Sequence, residues 1–170
     1  MSLIQKIARG DMDALAKLYE KHKTSVYRVA LSLTADPYLA EDITQETFLK
    51  IQEQAVSYRK NQNESAWILT IARNLSYDCL RKRKREVSNP DEELLQLQKT
   101  FHFDETSSYF FLQIIESLSQ EEKEVICLRI LADLPWKEIG QILNHPADTC
   151  RKRYERALHK LSILYRKDCL

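Results

Sequence analysis

The stretch between residues 138 and 158 constrains this chain most, because it predicts two helices joined by a tight turn. The turn is expected at Asn144, His145 and Pro146, since Asn tolerates a left-handed backbone and Pro cannot continue a helix. The apolar residues on either side recur at three- and four-residue intervals, as on the buried face of a helix. They are Ile139, Ile142 and Leu143 before the turn, and Cys150, Tyr154, Ala157, Leu158 and Leu161 after it.

The second of these helices is expected to begin near Asp148 or Thr149, either of which can cap it. Its opposite side carries basic residues in the first turns, namely Arg151, Lys152, Arg153 and Arg156. A short helix braced by another, with cations in its N-terminal half, suits the DNA major groove. The same pattern fits a solvated basic face on an ordinary helical hairpin, and this stretch alone favours that second interpretation.

The rest of the chain is also predicted to be helical. With two Gly and four Pro in 170 residues, and few runs of Val, Ile and Thr, the sequence is typical of an all-α protein. This length allows one large domain or two small ones. No apolar run is long enough to span a bilayer and no signal-peptide pattern is present, so we expect no membrane insertion. Cys79, Cys127 and Cys150 lie in helical patterns and are expected to be reduced core residues of a cytosolic protein.

The net charge of +1 argues against a nucleic-acid-binding protein, but the charges are unevenly distributed. Residues 65–85 carry six basic side chains and one acidic, and residues 149–170 carry seven basic and two acidic. Residues 86–148 between them carry thirteen acidic and four basic side chains. Two basic blocks around an acidic middle predict two contacts with one polyanion, and a middle segment kept away from it.

The N-terminal half predicts a helix from about Asp11 to Leu33 and a second one that starts at Asp36-Pro37. The second helix has an inward-facing apolar set of Leu39, Ile43, Phe48 and Ile51. A different stripe of this helix is mostly acidic and consists of Glu41, Asp42, Gln45, Glu46 and Leu49. Such a stripe fits either a solvated face or a surface that docks on a basic partner helix, and the spacing alone favours the solvated face.

A polar loop at residues 57–63 is followed by a helix that runs to about Arg85 and is capped by Asn63 or Ser65. The inner face of this helix is Ile68, Ile71, Ala72, Leu75 and Cys79, and its outer face is Arg73, Tyr77, Arg81 and Lys84. Loop and helix together offer cations, amides and the rings of Tyr58 and Tyr77. Single-stranded nucleic acid binds such a mixture, because bases stack on rings while phosphates contact Lys and Arg.

Periodicity weakens from Glu86 to about Ser108 while acidic residues accumulate, which predicts a flexible acidic linker. The second domain is expected to begin at Tyr109. A capping box is predicted at Ser119–Glu122, with Leu118 as its hydrophobic staple. The sequence therefore predicts two small helical domains, residues 1–86 and residues 109–170, joined by a linker at residues 87–108.

Together these motifs resemble the extracytoplasmic-function (ECF, group IV) sigma factors of bacterial RNA polymerase. The stretch from Ala40 to Phe48 (AEDITQETF), the stretch from Trp67 to Asn74 (WILTIARN) and the basic run that ends at Arg85 resemble conserved region 2. The stretches 118–129, 138–140 and 149–157 resemble conserved region 4. The resemblance covers nearly the whole chain, and the joint order of these motifs is specific.

The resemblance implies a factor that directs core RNA polymerase to promoters and promotes DNA melting, with no catalytic residue, metal or cofactor of its own. It implies contacts with the β′ and β subunits, with promoter DNA and with an anti-sigma factor, in the cytoplasm. Core binding is implied for Glu41, Asp42, Gln45, Glu46 and Leu49. Recognition of the −10 element is implied for Tyr58, Arg59, Lys60, Asn61, Asn63, Arg73, Asn74, Tyr77, Arg81 and Lys84. Recognition of the −35 element is implied for Thr149, Arg151, Lys152, Arg153 and Arg156.

The sequence departs from the family pattern around the predicted turn. Pro146 stands where the family often has a capping Ser, so the cap is expected to move to Asp148. Gly140 stands where Ala is usual, which costs up to about 1 kcal/mol of helix propensity but allows a close helix approach. Two other functions remain open on the residues alone. One is a DNA-binding regulator that never joins polymerase, and the other is a helical adaptor that binds only protein.

Overall fold

The computed structural model describes residues 1–59, 61–86 and 115–167, and in these residues every regular element is helical, as predicted. Several expectations lie outside the described residues. They concern Lys60, the linker at 87–108 and the start of the second domain at Tyr109. No described helix combines the length and apolarity that a bilayer crossing requires.

The first domain consists of α1 (Leu3–Ile7), α2 (Met12–Thr34), α3 (Pro37–Gln54), a 3-10 turn (Ala55–Ser57) and α4 (Glu64–Glu86). The predicted start of α3 is confirmed, because the Asp36 carboxylate accepts hydrogen bonds from the backbone N–H groups of the first turn. Of the two cap candidates for α4, Asn63 is the one used: its Oδ1 accepts from Ala66 N at 3.0 Å.

The second domain consists of α5 (Gln120–Ile126), a π-helical turn (Cys127–Leu131), α6 (Trp136–Leu143) and α7 (Ala147–Lys167). The predicted capping box of Ser119 and Glu122 is confirmed at the start of α5. The helix that this capping box opens widens into the π-helix from Cys127 onward. After this turn, the Arg129 guanidinium donates to Leu134 O at 2.9 Å, so the backbone carbonyl of Leu134 has a hydrogen-bond partner.

The turn between α6 and α7 follows the prediction at Asn144, which has φ 54° in the left-handed region. The predicted cap at Asp148 or Thr149 is wrong, because α7 already begins at Ala147. Pro146 holds the cap position, and its carbonyl accepts the first helical hydrogen bond from Cys150 N at 3.2 Å. The expected burial of Leu158 is also wrong, since this side chain is 39% exposed.

The two domains pack directly on each other. The π-helical turn and α5 lie against α2, and α6 lies against α4. One continuous buried cluster contains Leu18 and Val26 of α2 together with Val125, Cys127 and Leu128 of the second domain. Burial raises the pKa of the Cys127 thiol to about 12, with partial opposition from a hydrogen bond with Ser32 of α2. The described part of the chain is therefore closed, with a shared apolar core between its domains.

Candidate functional site

The acidic stripe of α3 lies on the surface of the closed structure. Asp42, Gln45 and Glu46 are exposed, Glu41 is half-buried, and Leu49 is 59% exposed. The residues between them face the core, where buried hydroxyls are satisfied by backbone carbonyls one turn earlier. A rigid helix thus presents one large apolar side chain among carboxylates. Such a surface repels DNA phosphates and suits a basic protein partner.

The loop before α4 is held in place by its own hydrogen bonds. The Tyr58 ring packs edge-on against Trp67 at 5.2 Å between centroids, and its hydroxyl donates to Gln62 O at 2.7 Å. Gln62 Oε1 accepts from Arg59 N at 3.1 Å. Partial burial raises the pKa of Tyr58, so its phenol stays protonated. These bonds join Tyr58 and Arg59 to Gln62, and the neighbouring Asn61 is exposed.

The same loop borders a cavity of about 530 Å³ between the two domains. One wall comes from the loop and the first turns of α4, and the other comes from α6. The lining consists of Asn61, Gln62, Asn63, Ala66, Trp67, Thr70, Lys137, Glu138, Gln141 and Ile142. Amide groups beside an indole ring have the hydrogen-bonding capacity and the flat apolar surface that unpaired bases require.

The start of α4 is anchored to α2 through Glu64. The Glu64 Oε1 atom accepts from Lys21 Nζ at 2.7 Å and lies 3.0 Å from Nε2 of the buried His22. Partial burial raises the pKa of the Glu64 carboxyl, but the hydrogen bonds from Lys21 and His22 outweigh it, so the pKa is lowered overall. Sequence reasoning missed this anchor, because His22 and Lys21 lie 42 and 43 residues before Glu64 in the sequence.

Arg73 and Tyr77 were predicted on an outer face of α4, but the closed structure places them against α5. Glu124 Oε1 accepts from Arg73 Nε at 2.8 Å and from the Tyr77 hydroxyl at 2.5 Å. The Arg73 guanidinium also lies 4.9 Å from the centre of the Tyr77 ring. Burial and the hydrogen bond to Glu124 raise the pKa of Tyr77 to about 12. Glu124 itself, which sequence reasoning did not single out, is only 7% exposed.

The remaining α4 candidates face solvent. Asn74, Arg81 and Lys84 are exposed, and Arg81 is paired with Asp78 one turn earlier on the same helix. An exposed pair of this kind contributes little to stability and yields easily to another anion. These residues therefore extend a basic surface from the middle of α4 towards its C-terminal end.

The basic candidates on α7 do not share one environment. Arg151, Lys152 and Arg156 are exposed, and Thr149 is half-buried. Arg153 is paired with Glu121 of α5 at 3.0 Å, and only 15% of its side chain is exposed. Trp136 of α6 packs edge-on against Tyr154 of α7 at 5.3 Å, which fixes the angle between the two helices. The structure thus assembles a braced two-helix unit with three exposed cations near the start of its second helix.

Residues 18–86 match the family model of Sigma-70 region 2, and residues 114–162 match that of Sigma-70, region 4. The ECF RNA polymerase sigma factor SigM of Bacillus subtilis is 31% identical over 156 residues, which cover 89% of this chain and 94% of SigM. The ECF RNA polymerase sigma factor SigW of the same organism is 28% identical over 93% of this chain and 92% of its own. The chain is therefore similar to both relatives over nearly their whole length.

Two solved structures share the fold. The sigma factor RpoE from Bartonella quintana, solved in complex with the anti-sigma factor NepR, has a TM-score of 0.74 and is 25% identical. The match covers 89% of this chain and 96% of that chain. CnrH, solved in complex with the cytosolic domain of CnrY, has a TM-score of 0.75 at 20% identity and covers 98% of this chain and 96% of its own.

Proposed function

This chain belongs to the ECF class of the sigma-70 family of RNA polymerase sigma factors, and we propose how its surfaces divide the work of transcription initiation. As a sigma factor, it binds core RNA polymerase and directs it to promoter DNA. It is not itself an enzyme, because polymerase supplies the chemistry. We place its action in the cytoplasm, where that polymerase works.

The α3 stripe is the proposed docking site for the β′ subunit of core polymerase. The observation that carries this assignment is the exposure of Leu49 beside Asp42, Gln45 and Glu46 on a rigid helix. An exposed apolar side chain beside the carboxylates of Asp42 and Glu46 suits a helical partner with basic side chains around an apolar contact. The β subunit is a further proposed partner, contacted elsewhere on the chain.

Recognition of the −10 element is proposed for the loop and the exposed side of α4. Tyr58, Arg59, Lys60, Asn61 and Asn63 would capture an unpaired non-template base, while Arg73, Asn74, Tyr77, Arg81 and Lys84 hold the adjacent strand. A site that binds unpaired bases better than paired ones shifts the duplex towards the open form. One stacked base is worth roughly 1–3 kcal/mol, close to the roughly 1.4 kcal/mol of one lost stacking step. Loop capture therefore starts melting, and further contacts of the polymerase complex must extend it.

Recognition of the −35 element is proposed for the start of α7. The basic residues Arg151, Lys152 and Arg156 are exposed there on a helix that α6 braces from behind. Thr149 and Arg153 complete the proposed contact set. An Arg side chain can pair with two acceptors of guanine in the major groove. Lys and the Arg side chains that do not reach a base hold phosphates.

An anti-sigma factor is a proposed partner as well. The sigma factor RpoE shares the fold of this chain and was solved in complex with its anti-sigma factor NepR. The same kind of partner would control this chain by withholding its surfaces from polymerase. Affinity capture on immobilised chain, with and without added core polymerase, tests this proposal. An anti-sigma factor should be retained only where polymerase is absent.

The proposal is tested by in vitro transcription with purified core polymerase on a promoter library. The paired substitution Asp42→Lys/Glu46→Lys is expected to abolish co-purification with core polymerase, because it reverses the charge of the docking face. The helical circular dichroism signal should not change. A matched control is Glu20→Lys/Glu116→Lys, because both glutamates are exposed and neither belongs to α3. If the α3 variant still binds core polymerase, the docking assignment is wrong.

A DNA-binding regulator that acts without polymerase is the competing function. The solvent-exposed cations at the start of α7 would permit such a role. Tight, sequence-specific duplex binding by the free chain, together with no promoter-directed transcription by core polymerase, would favour it.

A further inference from the structure

The cavity between the loop before α4 and α6 is lined by a carboxylate with an unpaired oxygen. Glu138 lines this cavity from the α6 side, and its Oε2 atom is buried with no hydrogen-bond partner among the described residues. A carboxylate oxygen that is shielded from water and unpaired costs free energy, and such groups are rare in native proteins. A ligand that donates to the Glu138 carboxylate would offset this cost.

The opposite wall supplies the complementary half of a hydrogen-bonding pattern. Asn63 Oδ1 accepts from Ala66 N at 3.0 Å, so the oxygen of this side-chain amide is engaged. The same holds for Gln62, whose Oε1 atom accepts from Arg59 N at 3.1 Å. Each of these two amides can offer a ligand its NH2 group, which only donates. The cavity therefore suits a ligand with acceptors towards the loop and donors towards Glu138.

An indole ring and a cation complete the lining. Trp67 is half-buried in the first turn of α4, where its ring packs edge-on against Tyr58. A flat heteroaromatic ligand can stack on such a ring. Lys137 of α6 also lines the cavity and is exposed, so it can pair with a phosphate at the edge of the site. The cavity volume of about 530 Å³ lies within the range of roughly 300–1,000 Å³ that is usual for small-molecule sites.

We propose that this cavity binds a free guanine nucleotide. Guanine carries two adjacent donors, the N1–H and the N2 amino group, on one edge, and the acceptors O6 and N7 on another. The donors match the Glu138 carboxylate, and the acceptors match the amide NH2 groups of the loop. The ring stacks on Trp67, and the phosphate pairs with Lys137. Adenine lacks the two adjacent donors, and a guanidinium group lacks the acceptors, so neither matches both walls.

This binding site is independent of the proposed function, although the two share side chains. Asn61 and Asn63 line the cavity and belong also to the set proposed for the −10 element. Under that assignment, a bound nucleotide and a promoter base exclude each other at the loop. This consequence rests on the proposed function, whereas nucleotide binding by the free chain does not. The two proposals can therefore fail separately.

Isothermal titration calorimetry of the full-length free chain with guanosine monophosphate tests the proposal. We expect saturable binding at one site per chain. Glu138→Gln keeps the size of the side chain but replaces an acceptor with a donor. It should weaken binding at least tenfold, equivalent to about 1.4 kcal/mol. The matched control Glu116→Gln makes the same change in charge at an exposed position outside the cavity lining, and it should leave the affinity unaltered.

The donor pattern is tested with further probes on the wild-type chain. Inosine monophosphate lacks the N2 amino group but keeps the N1 donor, so it should bind about tenfold more weakly than guanosine monophosphate. Adenosine monophosphate and L-arginine should bind more weakly still. A single-stranded trinucleotide with a central guanine distinguishes a free nucleotide from a base of a strand, and it should bind no better than guanosine monophosphate.

Tryptophan fluorescence locates the bound nucleotide. Trp67 and Trp136 are the two tryptophans of the chain, so Trp136→Phe leaves Trp67 as the reporter. A base stacked on Trp67 should quench its emission when guanosine monophosphate is added. In Trp67→Phe the reporter is Trp136, which is outside the cavity lining, and its emission should not change.

Four outcomes would overturn the proposal. The first is no saturable binding of guanosine monophosphate up to about 1 mM. The second is equal affinity for guanosine and inosine monophosphate, and the third is an unchanged affinity in Glu138→Gln. The fourth is tighter binding of the trinucleotide, which would identify a strand as the ligand. Circular dichroism shows whether Glu138→Gln folds; if it does not, the probe series and the fluorescence of Trp67 decide.

Discussion

Replacing Gly140 by Ala tests whether the turn between α6 and α7 depends on a close approach of backbone atoms. The N–H of His145 donates to Gly140 O at 3.0 Å, and the N–H of Asn144 donates to the same carbonyl. These bonds fold the chain back over Gly140. A methyl group at that position would lie 2.6 Å from His145 O and 3.3 Å from Ala147 N.

Two opposing effects decide the outcome of Gly140→Ala. Ala has about 1 kcal/mol more helix propensity than Gly, which favours the variant. A contact of 2.6 Å between the new methyl group and a backbone oxygen is well inside normal separation. That oxygen cannot move away by a side-chain rotation, so the backbone of the turn must shift, at a cost of about 1–3 kcal/mol for overpacking. We therefore expect a net loss of up to about 2 kcal/mol.

The measurement is urea and thermal unfolding of the full-length chain, followed by circular dichroism. For a chain of this size, each kcal/mol lowers the Tm by about 2–4 °C. The exposed neighbour Gln141 provides the control, because Gln141→Ala alters the same helix without a backbone contact. If Gly140→Ala is more stable than the wild type by about 1 kcal/mol, helix propensity dominates and the close-approach argument is refuted.

Three further predictions concern the proposed DNA surfaces. Asn63→Ala removes the helix cap and should lower the free energy of unfolding by about 1 kcal/mol. Asn63→Ser keeps a cap acceptor, so it should impair only the discrimination of the −10 element. Equal losses of stability for the two variants in urea unfolding would contradict this prediction. Arg153→Ala should weaken −35-dependent transcription while core binding is unaffected, and an unaltered promoter profile would count against its role. Burial raises the pKa of Glu64, but hydrogen bonds from Lys21 and His22 lower it overall, so its ionised form favours the folded state. The stability advantage of the wild type over Glu64→Gln should therefore be present above the ordinary carboxyl pKa and vanish as pH falls through the lowered folded value, as urea unfolding across that range would show.

The helix boundaries were predictable where the signal is local. The cap of α3 and the capping box of α5 each involve residues three or fewer positions apart, so residue types alone identify them. Pro146 was misjudged for a physical reason. The cap position needs only an extended backbone and a free carbonyl, and a residue without an N–H can provide both. The capping side chain expected from Asp148 was therefore unnecessary.

The contacts across the domains were not predictable from the sequence. Arg73 and Glu124 are 51 residues apart, and nothing in the local pattern of either helix indicates the other. Helical periodicity shows that Arg73 lies off the buried stripe of α4, but it cannot distinguish solvent from a second domain. Leu158 was misjudged for the same reason, because periodicity assigns a face and the neighbouring helix decides how much of that face is covered.

A net charge of +1 is compatible with the proposed binding to two DNA elements, because the exposed cations and the cations paired with glutamates contribute differently. The cations that face solvent, such as Arg151, Lys152 and Arg156, provide long-range attraction whatever the domain arrangement. Arg73 and Arg153 are instead paired with Glu124 and Glu121 of α5, so their charges are compensated locally. The distribution of the cations over the surface therefore decides the electrostatic contribution to DNA binding more than the total charge does.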